Sequence, residues 1–417
     1  MNTIKTIAAL VLYAASAFAT TPGLPSGKVL QENQSLMSSE GMVLHGYTGS
    51  GTGTQYNPTM EATDGTLQWE YTNGYLGTVL YGPTNDGTGD YMGEDSNQGR
   101  WVEFNTSNQM VNSVTLAQLN AQLSAHNQIT AMNHDAARLP NGLTAVIASN
   151  YEVVATSLYG NVPYVGNVIV VFDKIGIVQW VWNGFDHQND YWPVGCVLQN
   201  CYRGVGIKRS PTLKDKVVSG HWGEPPTPPG YTWAVDLFHA NTLTLAADGN
   251  FVLSMRNQDW VIKINYGNGT GSGTVVWRLG QGGDFTMTNS LGLVWPWFSH
   301  QHDSYFLPDG TFGAFDNGNT RVAAPPIGSG PGNSRGQAYT VDELNMVADV
   351  LHNFDMGSYS GCFGSSQLLA NGDYFFESGY IQGPGTSRLS QDLEFTPNGT
   401  LVYQFQGNGP QYRSFRQ

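Results

Sequence analysis

The chain has 417 residues, with 18 Lys+Arg against 32 Asp+Glu and a formal net charge of −14. Its 11 Trp, 21 Tyr and 18 Phe exclude a disordered chain, and so few cations leave no basic face for nucleic acid. The 52 Gly, with Thr, Asn, Tyr and Val prominent, are the usage of short strands and tight turns rather than of a helix bundle.

Met1 to Ala19 reads as a secretory signal peptide. Lys5 supplies the positive start, Thr6 to Phe18 the apolar run, and Ala17-Phe18-Ala19 the cleavage site. Residues 20–417 are then expected as a single domain of a secreted or periplasmic protein. No later run reaches about 18 apolar residues, so no membrane span is expected. Export permits a disulfide, and Cys196 and Cys201 flank a short loop that a bridge would close. Cys362 is left over, and no Cys-x-x-Cys pair points to structural zinc. Glycosylation sequons fall at Asn33, Asn105, Asn268 and Asn398.

A hairpin signal recurs down the chain. It appears as His134-Asp-Ala-Ala-Arg-Leu-Pro-Asn-Gly142, His239-Ala-Asn-Thr-Leu-Thr-Leu-Ala-Ala-Asp-Gly249 and His302-Asp-Ser-Tyr-Phe-Leu-Pro-Asp-Gly310. Further copies are Ser365-Ser-Gln-Leu-Leu-Ala-Asn-Gly372 and the weaker Gln391-Asp-Leu-Glu-Phe-Thr-Pro-Asn-Gly399. Asn-Gly and Asp-Gly favour two-residue turns in which both positions take positive φ. A second pair of strands, often carrying Trp, follows some hairpins. Val168–Asp173 precedes Gly176–Trp182, and Val261–Asn265 precedes Gly273–Trp277; Gly65–Trp69 and Gly399–Tyr403 look like further copies. Four short antiparallel strands per unit, repeated radially, describe an all-β fold, a β-propeller. Five units are clear, and a sixth fits the divergent stretch from 75 to 130. A large β-sandwich or two β domains would use similar strands but would not need the repeat. The Gly-, Pro- and Ser-rich stretch from Val322 to Tyr339 reads as a solvated insertion, with a lid as the alternative.

With each turn Gly as position 0 in a two-residue turn, residue −8 lies opposite residue +7. His134, His302 and Asn241 stand at −8, and His239 lies two residues from Asn241 on the same strand face. Ser149, Arg256 and Asn317 stand at +7. Equivalent inner-strand positions of a propeller converge at one mouth of the channel. Three His and Arg256 are therefore expected to form one anion-binding pocket, with His300 as a neighbouring candidate. A His-Asp pair can also serve only as a cap or a buried hydrogen-bonding group.

Asp236-Leu-Phe-His239-Ala-Asn241, the pair Arg256-Asn257, and Trp297-Phe-Ser-His-Gln-His302-Asp with Asp316-Asn-Gly-Asn319 resemble the arylsulfotransferase family over roughly residues 40–410. The resemblance implies a six-bladed propeller. It implies transfer of a sulfuryl group from an aryl sulfate donor to a phenolic acceptor, with no nucleotide donor and no cofactor. His302 matches the residue that carries the sulfuryl group as sulfohistidine in a ping-pong route. His134, His239 and Arg256 match the groups that hold the sulfate oxygens. Asn241 would assist, and Ser365 or Ser366 matches a family hydroxyl. The family's disulfide falls between the Arg256 and His302 blades, whereas Cys196 and Cys201 precede both. Trp233, Trp295, Trp297 and Phe298 are expected either to stack aryl rings or to pack between blades.

Two other readings remain open at this level. One is a non-catalytic propeller that binds sulfated or aromatic ligands. The other is a different propeller enzyme, a lyase or a quinoprotein.

Overall fold

The computed structural model describes residues 27–47, 57–72, 78–79, 91–95, 98–156, 160–187, 216–218, 227–323, 332–385 and 387–417. The signal segment Met1 to Ala19 and the Cys196/Cys201 pair lie outside the described residues.

Six small sheets form a six-bladed β-propeller. Blade 1 runs outward from Gln411–Arg416 through Met42–Tyr47 and Thr59–Ala62 to Leu67–Glu70. Blade 2 is Thr78–Val79, Tyr91–Asp95, Arg100–Phe104 and Met110–Thr115, in the divergent stretch where a sixth unit was expected. Blade 3 contains Ala131–Arg138, Thr144–Thr156, Gly160–Phe172 and Val178–Asn183. Blade 4 contains Ala240–Leu245, Phe251–Met255, Trp260–Ile264 and Val275–Gly280. Blade 5 contains His302–Phe306, Phe312–Asp316, Arg335–Asp342 and Val347–Asp355. Blade 6 contains Ser365–Leu368, Tyr374–Gln382, Arg388–Phe395 and Leu401–Gly407.

The ring is closed twice. The last strand, Gln411–Arg416, is the innermost strand of blade 1, and Gly27–Glu32 is the outermost strand of blade 6. Strands alternate their faces, so each blade presents apolar side chains to both neighbours, and an apolar cluster fills each wedge. Leu44 of blade 1 meets Phe104 of blade 2, and Ile147 of blade 3 meets Leu253 of blade 4. Trp277 of blade 4 packs with Tyr339 of blade 5, and Phe354 of blade 5 with Phe376 of blade 6. Each such side chain contributes about 1.5–3 kcal/mol by leaving water.

The hairpin turns differ from the expected two-residue type. Leu307 N–H bonds Thr311 O at 2.7 Å and Gly310 N–H bonds Leu307 O at 2.9 Å, which makes a three-residue loop. Only the Gly is left-handed: Gly142, Gly249, Gly310, Gly372 and Gly399 have φ between 78° and 90°, while the preceding Asn or Asp keeps negative φ. This is a type I turn with a G1 bulge. The pairing therefore slips by one residue. Phe306 faces Phe312, and Gly313, which a two-residue turn would set opposite Phe306, pairs with Tyr305. The stretch expected as a loop from 322 to 339 is partly regular. Asn319–Ala323 is a short helix and Arg335–Asp342 is a blade 5 strand, paired along Phe312–Asp316; residues 324–331 lie outside the described residues.

The turn and the seam each set a stability outcome. No atom lies within 4 Å of a Cβ added at Gly310, so Gly310→Ala should cost only the left-handed strain, about 1–2 kcal/mol in urea denaturation, and Gly310→Asn less. A cost near zero would count against the turn geometry. Arg416 on the closing strand pairs with Glu394 of blade 6 at 2.6 Å, both side chains being fully buried. Arg416→Met leaves that carboxylate without its cation and should cost about 3–5 kcal/mol. An unchanged denaturation midpoint would show that the pair does not clasp the ring.

Candidate active site

The three predicted histidines meet at one mouth of the channel. His134 lies within Ala131–Arg138, His239 directly precedes Ala240–Leu245, and His302 opens His302–Phe306. All three inner strands carry a register shift at this level. His134 and His239 are left-handed (φ 66° and 49°), and so is Asp303 (φ 46°). Non-glycine residues hold such φ values only where the surroundings enforce them, and bulges re-aim side chains. The rings of His134 and His239 are 4.7 Å apart between centroids. Tyr412, on the closing strand, brings its hydroxyl to 3.1 Å from His134 Nδ1 and its ring to 6.3 Å from that of His302.

The bulges also change the expected pairing. His302 faces Phe315, Ser149 faces Ala131 rather than His134, and Arg256 follows Met255, which faces Ala240. Arg256 N–H donates to His239 O at 3.4 Å, so Arg256 is placed beside His239 rather than opposite Asn241. Asn317 still reaches His302 through its side chain.

That contact sets a tautomer. Asn317 Nδ2 donates to Ser360 O at 2.7 Å and Phe363 O at 2.8 Å, which fixes the amide's orientation. Its Oδ1 then accepts from His302 Nδ1 at 2.6 Å. With Nδ1 carrying the proton, neutral His302 keeps its lone pair on Nε2. Asp236 similarly accepts from His239 Nδ1, and the Asp236 carbonyl is held by Asn257 Nδ2 at 2.8 Å.

Burial, and then the Arg256 guanidinium, push His302 well below its ordinary value of 6.5. Burial, His239, Arg413 and Arg256 do the same to His134. Both rings are thus neutral near pH 7, with the Arg256 guanidinium beside them. The guanidinium donates to Asn257 Oδ1 at 3.0 Å and Gly361 O at 3.1 Å, while its buried Nε–H has no protein partner among the described residues. A planar cation beside neutral imidazoles suits a small oxyanion.

Other candidates are engaged elsewhere. Asn241 Nδ2 donates to Gln301 O at 2.8 Å and so holds the backbone just before His302. Ser365 Oγ donates to Ser414 O at 2.7 Å and clasps the closing strand. Ser366 Oγ donates to Asp303 O at 2.6 Å. His300 Nδ1 faces Asp259 Oδ1 at 2.9 Å and Thr320 at 3.3 Å. Trp297 and Phe298 are buried in the wedge between blades 4 and 5, Trp295 packs against the same cluster, and Trp233 packs between blades 3 and 4. Among the described residues Tyr412 is the aromatic group beside the rings of His134 and His302, and Phe363 packs edge-on against it, with centroids 5.4 Å apart. Tyr412 follows the last repeat and carries no hairpin signal. Asp236 lies in the quoted Asp236–His239 run, where its spacing of three residues was the one available clue.

Three solved structures similar to this chain are a protein of unknown function from Bacteroides caccae, the periplasmic gluconolactonase of Pseudomonas aeruginosa, and a virginiamycin B lyase of Staphylococcus aureus. The first is 11% identical, over 90% of this chain and 97% of that one, with a TM-score of 0.46. The second is 12% identical, over 90% and 98%, with a TM-score of 0.46. The third is 8% identical, over 92% and 99%, with a TM-score of 0.37. Likeness at this level says nothing of substrate or mechanism. No curated protein matches the chain. The arylsulfotransferase (ASST) family model matches residues 31–407, a stretch that contains His134, His239, Arg256 and His302. The chain belongs to the arylsulfotransferase family of enzymes.

Proposed function

We propose that the protein is a secreted or periplasmic arylsulfotransferase that works through a sulfohistidine at His302. The Asn317–His302 hydrogen bond carries the reading, because it leaves Nε2 as the nucleophilic nitrogen. In the first half-reaction the Nε2 lone pair forms a bond to sulfur as the aryl oxygen–sulfur bond breaks. The leaving oxygen takes both electrons of that bond and the Nε2 proton of His239, which enters the cycle as an imidazolium held by Asp236 and is left neutral. Asn317 Oδ1 steadies the ring as it gains positive charge. In the second half-reaction a phenolic acceptor gives its proton to His239 and attacks sulfur, and the nitrogen–sulfur bond breaks to restore His302.

Sulfuryl transfer through a loose transition state, like phosphoryl transfer, depends on positioning and charge stabilisation. Arg256 and His134 supply these by holding the sulfuryl oxygens. Asp236 holds Nδ1–H of His239 throughout, so that Nε2 is the nitrogen that gives the proton in the first half-reaction and regains it in the second. Tyr412 and Phe363 offer faces against which aryl rings can lie. Export rests on the Met1–Ala19 signal.

The direct test is release of 4-nitrophenol from 4-nitrophenyl sulfate, with and without added phenol, coupled to mass spectrometry of the protein. The wild type should release nitrophenol and carry one sulfuryl group, and His302→Ala should lose at least about 1000-fold in rate. Undiminished release by His302→Ala, or none by the wild type, overturns the proposal. A second outcome concerns pH. His302 acts only when neutral, and its value lies below 6.5, so the rate should fall only as pH drops through that lowered value. An acid limb of kcat/KM centred above 6.5 would contradict this assignment.

A further inference from the structure

We infer that Arg413 is a positioning residue that holds the three histidine-bearing blades in mutual register. It lies on the closing strand, outside the matched stretch 31–407. Its guanidinium is buried on the channel axis, one residue beneath the histidines. Nη1 and Nη2 donate to the two oxygens of Asp135 at 3.1 and 3.3 Å, and Asp135 follows His134. Nη1 is 3.6 Å from Asp303 Oδ1, and Asp303 follows His302. Nη2 donates to the carbonyl of Asn241 at 2.5 Å, in the blade of His239. One side chain therefore ties a residue within two positions of each of the three rings, through two carboxylates and one backbone carbonyl.

The carboxylates extend the tie. Asp135 Oδ2 accepts from Leu243 N–H of blade 4 at 2.8 Å, and Asp303 Oδ2 from Ser366 N–H of blade 6 at 2.9 Å. The residue before Arg413 is Tyr412, which bonds His134. Two consecutive residues thus span the histidine layer and the ionic layer below it.

An apolar plug would fill the axis without the desolvation cost of burying charge. What an apolar plug lacks is direction. A guanidinium fork offers five donors in one plane and can bind three blades at fixed angles, which an ammonium cannot do. The catalytic consequence rests on the reading of His302 proposed above.

Arg413→Lys keeps the charge and removes the fork. With the fold confirmed by circular dichroism, it should lower kcat for 4-nitrophenyl sulfate by about 10- to 100-fold with KM changed less than about threefold. The ring resonances of His134 and His302 in nitrogen-15 NMR should also move. Unchanged kcat and unchanged resonances overturn the inference. If the lysine variant does not fold, Asp303→Asn, which can still accept from Ser366, should give the same kcat loss, and an unchanged kcat there also overturns it. If the wild type releases no nitrophenol, the sulfohistidine reading fails, and the histidine resonances of the variants alone decide for or against Arg413.

Discussion

Ring closure is the constraint on which everything else depends. A single four-stranded blade cannot bury both of its apolar faces. Each face is buried only when a neighbour stands on either side, so the wedge clusters from Leu44–Phe104 to Phe354–Phe376 exist only in the closed circle. Closure needs the two ends of the chain at one seam. Gln411–Arg416 enters at the inside of blade 1, and Gly27–Glu32 covers the outside of blade 6. The inner of these strands also delivers Tyr412 and Arg413 to the channel, so completing the fold and completing the site are one event.

The site departs from regular sheet geometry where chemistry requires it. Regular inner strands would alternate their side chains between the two wedge faces. The shifts beside His134, Asn241 and His302, with left-handed His134, His239 and Asp303, turn the rings toward the axis instead. This strain is held by bonds that do not touch the rings' free nitrogens: Asn241 to Gln301 O, Ser366 to Asp303, and Asp135 to Leu243. A polar support placed one layer away can be rigid without occupying the space a substrate needs.

Much of this was legible in the sequence. The Asn-Gly and Asp-Gly turns marked the hairpins of blades 3 to 6, because a left-handed Gly has a strong local signature. His134 and His302 share one offset from those turns and His239 lies two residues further on the same strand face, which is why the three were expected at one mouth of the channel. The pairing across the hairpins was wrong by one residue or more, because a type I turn with a G1 bulge and a two-residue turn share the same Asn-Gly signal. The bulges beside the histidines have no such signature at all. Blade 2 was recognised only as a divergent stretch, and the closing strand belongs to no local hairpin, since its partner Met42–Tyr47 lies at the far end of the chain. Tyr412 and Arg413 were invisible for that reason. Trp297 and Phe298 show the converse limit: an aromatic residue near a motif reads alike whether it fills a wedge or faces a ligand.

The ionic layer has one more consequence. Beyond it the channel widens into a cavity of about 520 Å³, bounded at its inner end by Asp135, Asp303 and Arg413 and reaching the hairpin turns at Pro140 and Gly249. The layer is therefore a bulkhead across the axis. On the proposed reading, a molecule at the histidines rests on that floor, and donor and acceptor share one mouth. Such a cul-de-sac makes visitors take turns.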